Sequence, residues 1–341
     1  MHSLITNLLL AAGSVQAVST NSTETTFYFN GTCTADNIRV RKEWRNLTPS
    51  EKEAYLTAEK CLFNLPANTT LDGVTSRWSD LQAVHRTLQN MTSYGVYVAD
   101  IVHNVGQFLP WHRYYMHTHE TLLRTECNYT GPMSWWNEEA DANAGDLFRS
   151  EMWSAESFGG NGTGPDACLV DGAFANTTMH IGPGLTNTEY CLDRAWTSDY
   201  IEYMGTEKLD TCRIHNDYFS FFNCMVDFNT SPHVAGHNSS GGIMSDIYSS
   251  AGDPMFFMHH NYIDRVWWKW QTANASSRLS DMSGNAWNYT FFEENDITLP
   301  ASVNLNTTLD YVLTTFDILP DIKVEEVMNA QGGYLCYEYD Y

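Results

Sequence analysis

Positive charge is scarce in this 341-residue chain: 18 lysines and arginines stand against 41 aspartates and glutamates, a net charge of −23. Such a surface repels nucleic-acid phosphates and anionic lipid headgroups, so neither is expected as a partner. Long apolar runs are missing too, and no stretch after residue 17 reaches the ~18 uninterrupted apolar residues of a membrane span. No internal repeat, coiled-coil heptad or low-complexity block appears, and few segments alternate at the period of a strand. These absences point to a mainly α chain, and its 13% aromatic content is enough for a substantial core.

Three features suggest passage through an oxidising compartment. Residues 1–17 hold a short apolar stretch, Leu8 to Ala12, and end in Val15–Gln16–Ala17, a small-x-small pattern. The stretch is too short to cross a bilayer and reads as a signal peptide, although no Lys or Arg precedes it. The eight cysteines are an even number suited to disulfides. Thirteen N-x-S/T sequons run from Asn21 to Asn306, consistent with a surface carrying N-glycans. A secreted protein is therefore expected, with residues 18–341 as its single domain.

Helical signals dominate the remainder of the chain. Thr48, Pro49 and Glu51 read as an N-cap, a first-turn proline and an acidic first turn. Ser76 to Met91, Gly106 to Cys127, Pro232 to Asn238 and Asp253 to Gln271 predict four helices that together build a bundle. Residues 137–229 look irregular, with turn clusters such as GGNGTG and IGPGLTN. Cysteines inside that stretch are expected to staple it, Cys168 to Cys191 and Cys212 to Cys224, each closing a short loop. Cys33–Cys336 and Cys61–Cys127 would be the remaining pairs, out of 105 possible pairings for eight cysteines.

The chemistry lies in the histidines. His85, His103 and His112 precede the irregular stretch, the last two framing HNVGQFLPWHR; His233, His237 and His260 follow it, in HVAGH and DPMFFMHHNYIDRVWW. His233 and His237 are four apart, hence on one helical face. His259 and His260 are adjacent, so only one of them faces a bundle centre easily. Imidazole suits copper, zinc, iron and nickel. Two sets of three, without cysteine or carboxylate at ligand spacing, argue for two neighbouring metals with open positions.

Each motif resembles half of the type-3 copper centre of the tyrosinase, catechol oxidase and haemocyanin family, and the resemblance runs from about Val40 to Tyr341. It implies a four-helix bundle holding two copper ions, with His85, His103, His112, His233, His237 and His260 as ligands. His259 would then stand behind the ligands, with Asp264 and Arg113. Asp264 either orients an imidazole or pairs with Arg113 or Arg265. In the fungal relatives that the first segment resembles, eight residues separate the first two histidines. Here the separation is eighteen, with NMTSYGVYVA as the extra length. His117 and His119 are rivals to His85, read more simply as polar residues of their helix. His180 and His215 stand without companions.

The resemblance implies oxidation of phenols by dioxygen, without the cysteine–histidine thioether many members carry, since no cysteine lies near His85, His103 or His112. Val234, Ile247, Tyr248 and Phe256 are expected at the substrate pocket. Members that hydroxylate monophenols often have Asn directly after the first ligand of the second site, with a nearby Glu. Here Val234 stands there, and the nearest upstream acid is Asp227. Conversion of catechols to o-quinones is therefore favoured over monophenol hydroxylation or o-aminophenol oxidation. A dioxygen carrier is disfavoured because the chain ends at CYEYDY, similar to the family's closing tyrosine motif, with no lid domain after it. A copper-storing glycoprotein is disfavoured by the two ligand motifs.

Overall fold

The structure, a computed structural model, describes residues 32–93, 96–287 and 306–341, leaving aside the side chains of residues 92–99. The signal peptide expected at residues 1–17, His2 and the sequons at Asn21, Asn30 and Asn288 lie outside the described residues.

Helix α1 (Pro49–Asn64) begins on a reciprocal cap: the Glu51 amide donates to the Thr48 hydroxyl and the Thr48 amide to the Glu51 carboxylate. Ser76 caps α2 (Arg77–Gln89), accepting the Ser79 amide. The other helices of six or more residues among the described residues are α3 (Phe108–Glu126), α4 (Glu138–Asn143), α5 (Thr206–Arg213), α6 (Tyr218–Val226), α7 (Pro232–Ser240) and α8 (Met255–Ala273). Asp253 and Pro254 stand just ahead of α8 rather than inside it, and the Asp253 carboxylate accepts the Met255 amide.

From Met255 to Trp268 every residue of α8 is buried. A helix enclosed on all sides is the centre of its fold. Helix α3 packs along it, α7 lies on it, and α1 packs on both α2 and α3. Ring contacts bind α2 to the rest, with Trp78 edge-on to Phe257, and the Tyr115 hydroxyl donates to the Leu81 carbonyl. The bundle is thus formed by α2, α3, α7 and α8. Trp267, Trp268 and Trp270 belong to the core.

All four expected disulfides are present, Cys33–Cys336, Cys61–Cys127, Cys168–Cys191 and Cys212–Cys224, and no cysteine is left free. Residues 137–229 are less irregular than their sequence implies, because α4, α5 and α6 fall within them. These helices are six to nine residues long, too short for a clear period. In addition, α6 (YFSFFNCMV) is too apolar to show a polar face, and Cys212–Cys224 clamps it to α5. The extra length between His85 and His103 forms a hairpin, Met91–Ser93 pairing antiparallel with Val96–Ala99.

The two ends of the described residues meet in a small parallel sheet, with Arg39–Glu43 between Ser134–Trp135 and Tyr337–Tyr339. Residues two apart in a strand share a face. Tyr337 and Tyr339 accordingly both point at α8, and both hydroxyls donate to Asp264 Oδ2 at 2.5 Å. The same carboxylate accepts from Arg113 Nε at 2.6 Å and faces Arg41 at 3.5 Å, while Arg41 also pairs with Glu120 at 3.1 Å. Asp264 and Arg113 thus join one another, and Arg265 turns away to the Tyr341 carbonyl.

Burial works against charge on Asp264, but Arg113 and Arg41 outweigh it and hold the carboxyl below its ordinary value. On Glu120 burial is likewise overcome, by Arg41, Arg39 and Arg124, and the pKa falls to about 2. A depressed folded-state pKa stabilises above the unfolded value, and the gain is lost as pH falls through the folded one. Stability from this cluster should therefore be complete at neutral pH and decline from roughly pH 4 toward pH 2. Asp264→Asn leaves two buried arginines undercompensated and should cost about 3–5 kcal/mol in urea unfolding at pH 7. A loss below about 1 kcal/mol would show that the cluster does not hold the chain ends to the bundle.

Candidate metal centre

Two groups of buried histidines meet at the middle of the bundle. His85 from α2, His103 from the loop ahead of α3 and His112 from α3 form the first, their candidate ligand atoms all within 4.8 Å of one another. His233 and His237 from α7 with His259 and His260 from α8 form the second, within the same limit. The i,i+4 spacing of α7 sets the first pair side by side, with ring centroids 4.8 Å apart. The groups touch through His112 and His260, whose rings lie nearly parallel at 4.3 Å.

Several rings are anchored through Nδ1, which leaves Nε2 to face inward. His112 Nδ1 lies 2.9 Å from the Phe108 carbonyl, His237 Nδ1 lies 2.9 Å from the Met244 carbonyl, and His103 Nδ1 lies 3.0 Å from Asp100. A carbonyl only accepts, so His112 and His237 carry their proton on Nδ1 and a lone pair on Nε2. The Nε2 atoms of His237 and His260 approach to 3.2 Å. His112 Nε2, His233 Nε2 and both nitrogens of His85 are buried without a partner. Burial above all, then the neighbouring imidazoles, holds His85, His112, His233, His237 and His260 well below the ordinary histidine value. Neutral rings with converging lone pairs are what a metal of the copper–zinc class requires. Buried polar atoms without partners normally cost free energy, and bound metal would relieve that cost. The donor set fits two ions.

His259 belongs to the second group yet is held differently. Its Nδ1 lies 2.5 Å from Glu138 Oε1, and both side chains are fully buried. Burial lowers His259 to about 3 and, with Asp141, raises Glu138 well above the ordinary carboxyl value. The ring is accommodated by Gly236: a Cβ there would lie 2.3 Å from His259 Cε1 and 2.4 Å from its Nδ1. The glycine of HVAGH therefore leaves room for the neighbour of His260.

A cavity of about 220 Å³ opens over His103, His233 and His237. Val234 and Ile247 line it, along with Phe108, Val226, Phe228 and Met244. Tyr248 and Phe256, expected at the pocket, are not among its lining. The turn capped by Asp246 carries Tyr248 past the opening, and Phe256 is fully buried, 4.1 Å from the ring of His260 and 5.1 Å from His85. Asp264 and Arg113 sit in the network at the chain ends. His119 bonds Glu59 and stacks on Phe257, His117 packs on Tyr334, His180 faces Glu189, and His215 offers its carbonyl to Trp270. Asp100, three residues before His103, was a readable signal for its anchor. Glu138 was not readable, being 121 residues from its partner.

Residues 75–273 match the family model for the common central domain of tyrosinase. The chain is 31% identical to the tyrosinase-like protein phomQ1 of Diaporthe leptostromiformis, covering 88% of this chain and 77% of that protein. It is 28% identical to the N-acetyl-6-hydroxytryptophan oxidase ivoB of Emericella nidulans, over 90% and 94% of the two chains. Among solved structures it resembles a variant polyphenol oxidase of Thermothelomyces thermophila, with a TM-score of 0.76 at 25% identity over 91% and 90% of the chains.

Gly236→Ala tests the packing behind the second group. The added methyl forces His259 aside, and the variant should lose about 1–3 kcal/mol of stability. It should also give up copper to a chelator faster than the parent protein does. Unchanged unfolding and unchanged copper retention would mean that the ring can move at no cost.

Proposed function

The chain belongs to the tyrosinase family of binuclear copper oxidoreductases, and on that premise we propose that it converts o-diphenols to o-quinones. Two diphenols and one dioxygen would give two quinones and two waters. His85, His103 and His112 would hold one copper, and His233, His237 and His260 the other. The observation carrying this reading is the stacking of His112 on His260, which sets one ring of each group against the other. His259, tied to Glu138 behind Gly236, would back the second group rather than ligate. The copper pair supplies the two-electron exchange between phenol and dioxygen.

The chain contributes orientation, dryness and the management of protons. Phe108 and Phe256 pack against the inward rings and keep water from them. Hydroxylating a monophenol calls for help with a proton whose pKa is near 10 in the tyrosine side chain. The pocket is poorly equipped for that task. Val234 is an apolar wall residue where an amide would help hold a water. Asp227, the nearest upstream acid, accepts the amides of Asn229 and Thr230 and the Thr230 hydroxyl. A catechol is more acidic and has two oxygens to offer, so it depends less on such help. The four disulfides and the many sequons support secretion, with residues 18–341 as the catalytic domain after a signal peptide. N-glycans would then cover part of the surface, away from the sequon at Asn238, which lines the cavity.

Oxygen uptake by the copper-loaded enzyme on 4-methylcatechol and p-cresol tests the reading. The diphenol should be turned over without a lag and the monophenol slower by about 10²-fold or more, the usual contribution of a positioned base. Val234→Asn should narrow that gap modestly. Oxidation of p-cresol without a lag and nearly as fast as 4-methylcatechol would contradict the role given to position 234.

A further inference from the structure

We infer that the pocket selects phenols whose ring substituent carries no charge, and that the side-chain amides of Asn104 and Asn238 receive that substituent where an ion partner would otherwise stand. This rests on the catechol reading and names its substrate class. Among the described residues that line the cavity there is no Asp, Glu, Lys or Arg. Apart from the histidines, the polar lining consists of Asn104, Asn238, Ser245 and Ser250.

The two acids nearest the rim in sequence lie outside the lining, each hydrogen-bonded within its own turn. Asp227 lies between the lining residues Val226 and Phe228, and its Oδ1 accepts from Asn229 and Thr230. Asp246 lies between Ser245 and Ile247, and it accepts the amides of Gly184 and Tyr248 and the Ser249 hydroxyl. Neither carboxylate is among the groups that line the cavity. A charged ring substituent seated among these residues would lose water without gaining an oppositely charged side chain, which costs free energy for either sign of charge.

The asparagines offer what a neutral polar group needs. Asn104 follows His103 and Asn238 follows His237, so each stands at the edge of the cavity beside one of the two groups. Neither side-chain amide is hydrogen-bonded to the described protein groups, so both can donate and accept. Asn104 sits in the left-handed region at φ 53°, a conformation asparagine tolerates better than most residues. An ester, amide, ether or hydroxyl on the ring substituent would match them.

Long-range charge would produce a different order. A chain of net charge −23 attracts cations and repels anions at a distance. If that field decided selectivity, a cationic catechol would be the best substrate. Selection by the pocket instead places the neutral catechol first, and salt tells the two apart, because it screens the distant field far more than the local desolvation.

The test compares kcat/KM of the copper-loaded enzyme for 4-ethylcatechol, dopamine and 3,4-dihydroxyphenylacetate, alike in ring and two-carbon frame and differing in charge. The neutral compound should lead both charged ones by about tenfold or more, a factor equal to ~1.4 kcal/mol. Added salt should bring the cation and the anion together while leaving both behind 4-ethylcatechol. Asn238→Asp should raise dopamine relative to 4-ethylcatechol severalfold. Asn238→Leu should raise KM for N-acetyldopamine more than for 4-ethylcatechol. The comparison of substrates on the unaltered enzyme stands even if both variants fail to fold. Dopamine within twofold of 4-ethylcatechol would overturn the inference and leave catechol oxidation intact. Failure of copper-loaded enzyme to oxidise 4-ethylcatechol at all would overturn both.

Discussion

Imidazole nitrogens without partners, buried at the middle of a helical bundle, are the constraint on which the rest of this structure depends. Left alone, such atoms oppose folding, because burial removes water and supplies nothing in its place. Here they face one another across the contact between His112 and His260. A pair of copper ions held there would turn that liability into binding energy, since metal ligation adds to the stability of the fold. The surrounding protein holds the rings still. Phe108, Met244 and Asp100 fix three of them through Nδ1, as partners behind metal ligands commonly do.

The outer structure serves the same end. The four helices that carry the ligand candidates come from both halves of the chain, so the two halves must be locked together. Asp264, on helix α8, does this by gathering Arg113 from α3, Arg41 near one end of the described chain and two tyrosines near the other. Cys33–Cys336 ties the same ends covalently. A buried ionic cluster of this kind is sensitive to loss of any member, which makes the position of α8 dependent on residues far from the metals.

Much of this was legible in the sequence, for physical reasons. A spacing of four on a helix makes neighbours, so His233 and His237 could be paired on sight, and the adjacency of His259 and His260 forced a choice between them. The capping signal at Thr48 placed one helix start, and the helical period from Ser76 to Met91 placed another. The same reasoning found less where signals are short or partners distant. Helices α5 and α6 are too brief for a period to emerge. Tyr248 and Phe256 were expected at the pocket, but proximity in sequence does not say which way a turn or a buried helix points a side chain. The contact of Glu138 with His259, the room left by Gly236, and the open amides of Asn104 and Asn238 depend on tertiary placement that no local pattern encodes.

The central claim is that two separate histidine groups each hold one copper, with His260 and not His259 completing the second. Diffraction from copper-loaded crystals recorded on either side of the copper absorption edge tests this most directly. Two anomalous peaks are predicted, one enclosed by His85, His103 and His112 and the other by His233, His237 and His260. A single peak, or a second peak bound by His259 with His260 turned away, would contradict the account.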